Sequence, residues 1–307
     1  MIVKPLKEDM MQYKAQKLLA LAMTIISCNN AVNHPASSSE SGSGATTPAI
    51  HYNLSAPVQK WSLPKELKEI SGNAWVDDKH LLVIEDLHPN LYLLRLDNSA
   101  VVERTVAFAP ERDKKFDIED VTLVGNTAYA LWSHGVIYRV NDWMNKPETS
   151  EINTSLSKEN NTEGICYDPV TGNLLIACKN EADADEKKST RAIYAYDLKK
   201  NQFIDQPFLL IHKKDFKEVE GEKLDFYPSA IAVHPITHDI FILSTRGTKC
   251  LAEFTHEGSL KAVRLIDPAE MLQPEGICFA PDGTMYISTE GKHGNPPLLY
   301  KFKYAAD

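Results

Sequence analysis

From residue 50 onward the chain is written in short apolar runs. Leu81-Leu-Val-Ile84, Ala128-Tyr-Ala-Leu-Trp132, Leu174-Leu-Ile-Ala177, Ile240-Phe-Ile-Leu243 and Met285-Tyr-Ile287 are rich in aliphatic and aromatic residues. Turn signals such as Asp-Asp, Thr-Gly-Asn and Pro-Asp-Gly separate them. Runs of this length between turn residues read as strands. No long stretch carries a convincing helical period. The best helical candidates are Ile211–Val219 and Pro268–Leu272, both between strands.

The runs belong to a repeated phrase. Asn161-Thr-Glu-Gly-Ile-Cys-Tyr-Asp-Pro and Gln273-Pro-Glu-Gly-Ile-Cys-Phe-Ala-Pro are two copies, and Tyr227-Pro-Ser-Ala-Ile-Ala-Val-His-Pro is a third. Weaker copies begin at Lys68-Glu-Ile-Ser-Gly and Asp117-Ile-Glu-Asp. With Glu69, Glu119, Glu163, Ser229 and Glu275 as anchors, the spacings are 50, 44, 66 and 46 residues. That period fits the four-stranded antiparallel blades of a β-propeller, five in number, with one insertion in the longest unit. The insertion is placed at Asn180–Thr190 plus His212–Asp225. The last unit runs out after Leu298–Tyr304, so its outer strand is expected from Val58–Leu63, which closes the ring and covers the blade edge.

The first 50 residues have a different character. Lys4, Lys7, Lys14 and Lys17 precede a ten-residue apolar run, Leu18–Ser27, and then Cys28. A basic flank and a short apolar segment make a secretory signal, too short to span a bilayer as a helix. Ile25-Ile26-Ser27-Cys28 is similar to a bacterial lipobox, which makes Cys28 the lipidation site. Asn29–Pro48 is rich in Ser, Gly, Thr, Pro and Asn and reads as a flexible tether. The expected organisation is therefore a lipoprotein signal peptide at 1–27, a tether at 28–50 and the all-β propeller at 51–307. The expected location is the bacterial cell envelope, lipid-anchored and facing away from the cytoplasm.

Charge narrows the partners. The chain holds 42 acidic and 33 basic residues, a net charge of −9. Loss of residues 1–27 removes four lysines, one glutamate and one aspartate and leaves −11. Such a surface repels nucleic acid and anionic lipid and favours cations. Glu69, Glu119, Glu163 and Glu275 each precede an innermost strand and would converge on the propeller axis, with Asp120 and Glu85 near by. Like charges at close range raise one another's pKa unless something offsets them. A hard cation such as Ca²⁺, held by oxygen ligands, is the expected remedy. The competing reading is architectural, with each Glu accepting backbone N–H bonds from the next blade. Cys166, Cys178, Cys250 and Cys278 read as small buried hydrophobes rather than disulfide partners.

Taken with the lipobox and the unit count, the phrases Glu69-Ile-Ser-Gly, Asp117-Ile-Glu-Asp, Asn161-Thr-Glu-Gly-Ile and Gln273-Pro-Glu-Gly-Ile-Cys-Phe resemble the bacterial SdiA-regulated family over residues 57–307. The resemblance implies a five-bladed propeller distantly similar to NHL-repeat proteins and a calcium site using the repeated acidic position. It brings no established activity. Three functions stay open: a binding module presenting one mouth to a glycan, peptide or protein, with Trp132-Ser-His-Gly135 as an aromatic lip; a calcium-dependent hydrolase of the lactonase or esterase type, with His88, His134 or His293 as base; and a purely structural surface module. No Gly-x-Ser-x-Gly, His-Glu-x-x-His or phosphate-loop motif is present.

Overall fold

A strand that is apolar at every position must be covered on both faces. The computed structural model, which describes residues 50–110, 116–181, 190–216 and 224–305, meets that demand by radial stacking of five four-stranded antiparallel sheets. Strand β1 (Gln59–Ser62) is followed by the first blade, β2 (Ile70–Asp77), β3 (His80–Glu85), β4 (Asn90–Leu96) and β5 (Ala100–Ala107). The second is β6 (Ile118–Val124), β7 (Thr127–Trp132), β8 (Val136–Asn141) and β9 (Glu148–Asn153). The third is β10 (Thr162–Asp168), β11 (Asn173–Glu181), β12 (Thr190–Asp197) and β13 (Gln202–His212). The fourth is β14 (Pro228–Val233), β15 (Ile240–Ser244), β16 (Cys250–Phe254) and β17 (Leu260–Leu265). The last blade, β18 (Pro274–Phe279), β19 (Met285–Thr289) and β20 (Leu298–Phe302), takes β1 as its outer strand, with Trp61 opposite Leu299. This is the expected five-bladed propeller with its N-terminal closure.

Alternate residues of each blade serve opposite neighbours. In β3, Leu82 and Ile84 pack with the second blade, while Leu81 and Val83 pack with the last. In β11, Leu175 and Ala177 face the fourth blade, and Leu174, Ile176 and Cys178 face the second. Five such clusters, one between each pair of blades, form the core. The innermost strands touch in sequence around the axis, β2 to β6, β10, β14, β18 and back to β2. Their close approach requires a small residue: a Cβ on Gly164 would stand 2.9 Å from the Ile231 amide nitrogen.

The helix expected over Ile211–Val219 is strand at its start, because β13 runs to His212, and helical at Asp215 and Phe216, after which the residues lie outside those described. Pro268–Leu272 holds a turn in which the Glu270 and Met271 amides donate to the Asp267 carbonyl. The expected signal peptide, Cys28 and the expected tether up to residue 49 lie outside the described residues, as does most of the expected insertion. The four described cysteines are buried free thiols.

Candidate functional site

Every innermost strand carries a β-bulge near its start. At these starts the register slips at Ser71, Glu119, Glu163, Ser229 and Glu275. A bulge leaves its extra residue out of the ladder and re-aims the side chain. Repeated five times around an axis, it makes a ring. Glu119, Glu163, Glu275 and Ser71 line one axial cavity of about 250 Å³, together with Asp86, Asp117, Asn161, Lys179, Gln273 and Glu290.

Two further rings complete this mouth. The residue two before each bulge contributes Glu69, Asp117, Asn161, Tyr227 and Gln273. The residue after the end of each second strand's pairing contributes Asp86, Ser133, Lys179, Thr245 and Glu290. Backbone bonds link the two rings in four blades. The amides of Asp86, Ser133, Lys179 and Glu290 donate to the carbonyls of Glu69, Asp117, Asn161 and Gln273. Bonds also stitch blade to blade, from the Ile118 amide to the Asp86 carbonyl (3.1 Å) and from Thr162 to Ser133 (3.0 Å).

The electrostatics are those of carboxylates short of counter-charge. Burial, then the charges of Glu163 and Asp117, push Glu119 well above the ordinary carboxyl range. Burial raises Glu163 too, against the pull of Lys179. Burial and Glu163 bring Glu275 to about 8. Lys179 is the cation among them, its ammonium 2.9 Å from Glu163 Oε2. Burial favours its neutral form, but Glu163 and Glu275 outweigh burial and raise its pKa. Asn161 donates its side-chain amide to the other Glu163 oxygen.

Three of the four expected axial glutamates thus meet. Glu69 does not line the cavity: Lys68 Nζ lies 2.5 Å and Lys292 Nζ 3.5 Å from its carboxylate, and the Lys68 hydrogen bond lowers its pKa. Alignment on the glycine of Ser71-Gly72 against Glu163-Gly164 and Glu275-Gly276 places Ser71, not Glu69, at the repeated position. Asp120 and Glu85 are also elsewhere. Buried Asp120 accepts from the Ile165 amide of the next blade (2.9 Å) and the Val121 amide (2.8 Å), the architectural role weighed for the glutamates. Buried Glu85 takes the Leu87 and His88 amides at 3.0 Å each. The sequence reading missed Lys179, near the end of β11, and Glu290, just after β19, both outside the repeated phrase.

The donors suit a hard cation, since all are oxygens. Their present placement does not, because among the described residues no group of three or more acidic, His or Cys side chains is set to hold a metal ion. Where β7 ends, the Trp132 indole and His134 imidazole stack at 4.8 Å with planes 17° apart.

Residues 51–303 match the family described as SdiA-regulated. This chain belongs to the SdiA-regulated family. No curated protein matches its sequence. Among solved structures it is similar to a Myxococcus xanthus glutaminyl cyclase, with TM-score 0.56 at 13% identity over 82% of this chain and 97% of that one, a likeness of fold alone. It is also similar to a nidogen/laminin complex (TM-score 0.47, 16% identity, 72% of each chain). Virginiamycin B lyase from Staphylococcus aureus matches with TM-score 0.43 and 15% identity over 75% and 66%. The SdiA-regulated chain shares a fold with the glutaminyl cyclase, and its site must be read from its own residues.

Proposed function

We propose that this SdiA-regulated protein is a lipid-anchored binding module of the cell envelope whose acidic mouth takes Ca²⁺. One observation carries the reading: Glu119, Glu163 and Glu275 occupy the same bulged position in three blades and share one cavity with a single lysine. Three carboxyls crowded beside one ammonium can ionise together only at a cost, which a divalent cation relieves. Glu119, Glu163 and Glu275 would hold the ion, and Lys179 would give up its place. The bound ion would stiffen the start of three inner strands and set the rim on which the Trp132–His134 stack meets a glycan, peptide or protein. Nothing specific favours hydrolysis, since His88, His134 and His293 do not line the axial cavity.

Calcium titration by calorimetry, with thermal unfolding in Ca²⁺ and in chelator, tests this. One site per chain and a higher Tm in Ca²⁺ are expected. Glu163→Gln should weaken binding by about tenfold or more, a loss of roughly 1.4 kcal/mol. Lys179→Met should tighten it, because the competing charge is gone. No binding heat and identical Tm values in Ca²⁺ and chelator would sink the proposal.

A further inference from the structure

The propeller has a second mouth, where the inner strands end, and its chemistry is the reverse of the first. Four residues beyond each bulge stand Trp75, Leu123, Tyr167, Val233 and Phe279, one from every blade, all half-buried. They line a cavity of about 270 Å³ on the axis, and among the described residues no charged side chain lines it. At the rim, Val170 is 51% and Ile236 53% exposed, on the turns that follow Pro169 and Pro235.

Two polar groups in this wall are unsatisfied. Asn73 is 2% exposed; its amide nitrogen donates to Ser288 Oγ at 3.1 Å, and its Oδ1 has no partner among the described residues. The Trp75 indole N–H has none either. Buried polar atoms without partners are costly, and each calls for an explanation. A purely structural plug would be apolar throughout. A wall that is greasy all round and keeps one spare acceptor and one spare donor together suits an apolar molecule with one uncharged polar end.

Size narrows the class. A cavity of about 150 Å³ takes a six-carbon ring. By the same scale 270 Å³ takes about ten carbons. We infer that the apolar mouth is a second ligand site, distinct from the acidic one, and that it takes a medium-length aliphatic chain ending in an uncharged polar group. Trp75 and Asn73 would meet the polar end after a small side-chain adjustment, and the five-residue ring would enclose the chain.

The inference stands apart from calcium binding and from lipidation. Its test uses the full chain with Cys28→Ala, titrated with 1-decanol in chelator. One saturable site is expected. 1-Butanol, six methylenes shorter, should bind roughly a hundredfold or more weakly. Val233→Asp, which puts a charge into the ring, should weaken 1-decanol binding by about tenfold or more. Leu123→Asn is the second variant should Val233→Asp not fold, and either folded variant decides. Absence of saturable 1-decanol binding, or binding unchanged in the folded variant, overturns the site. Binding that emerges only in a chain starting at residue 50 also overturns it, in favour of the protein's own N-terminal segment as occupant.

Discussion

Burial holds the Glu275 carboxyl at about 8, and the sign of the consequence is fixed. A carboxyl whose folded pKa lies above its unfolded value favours folding while protonated. That contribution is complete below about pH 4.5 and is lost as pH rises through 8. The full span is worth about 5 kcal/mol at most. Without divalent cations, unfolding free energy should therefore fall between pH 5 and pH 8, and Glu275→Gln, neutral throughout, should fall less steeply. Denaturant melts at the two pH values check this, and equal slopes in both proteins would refute it. The same residue shows what a sequence can carry. Glu163-Gly and Glu275-Gly announced their shared position because bulge and close contact select the pair together. Glu69 was misleading for the same reason: its phrase keeps the glycine, and Ser71 holds the bulge. Lys179 was invisible because nothing in the sequence of β11 says that its end returns to the axis.

Strands differ in how plainly their residues speak. The second strands are covered on both faces, so they read as unbroken apolar runs and were legible. Outer strands face water. β9, Glu-Thr-Ser-Glu-Ile-Asn, buries only Ile152, and β13 starts five residues before the Pro207–Ile211 reading because Asp205 and Gln206 are exposed. Apolar pattern cannot find such strands; the blade period implies them. β1 is the exception, since it closes the ring. Trp61 is buried with Tyr92 and Leu94 of the first blade, and its indole donates to the Asp97 carbonyl at 2.8 Å. Trp61→Ala should cost about 3–5 kcal/mol, the range for a buried aromatic. Hydrogen exchange should then rise in β1 and β20 before it rises in the second and third blades. Uniform loss of protection would show that β1 is not where the ring opens.

At the scale of the whole molecule, the chain joins the propeller beside the apolar mouth. Ile50 and Tyr52 are buried between the fourth and last blades; the Tyr52 hydroxyl donates to the Gly283 carbonyl at 2.5 Å and lies 2.9 Å from His234 Nε2. Among the described residues all twenty strands fall between Gln59 and Phe302, and β1 closes the ring from within that span. Attachment and folding are therefore separable under the lipid-anchor proposal. Cys28→Ala should leave Tm and calcium affinity unchanged while abolishing labelling by a lipid precursor and moving the protein from the membrane to the soluble fraction. The net charge of −9, or −11 without residues 1–27, also excludes electrostatic rescue. Anionic headgroups repel such a surface, and lowering salt lengthens the reach of that repulsion. The unlabelled variant should therefore stay off anionic vesicles at low salt as well as at high. Labelling of Cys28→Ala equal to wild type would remove the anchor. Vesicle binding that strengthens as salt is lowered would instead mean that a basic surface, and not a lipid, brings the propeller to the membrane.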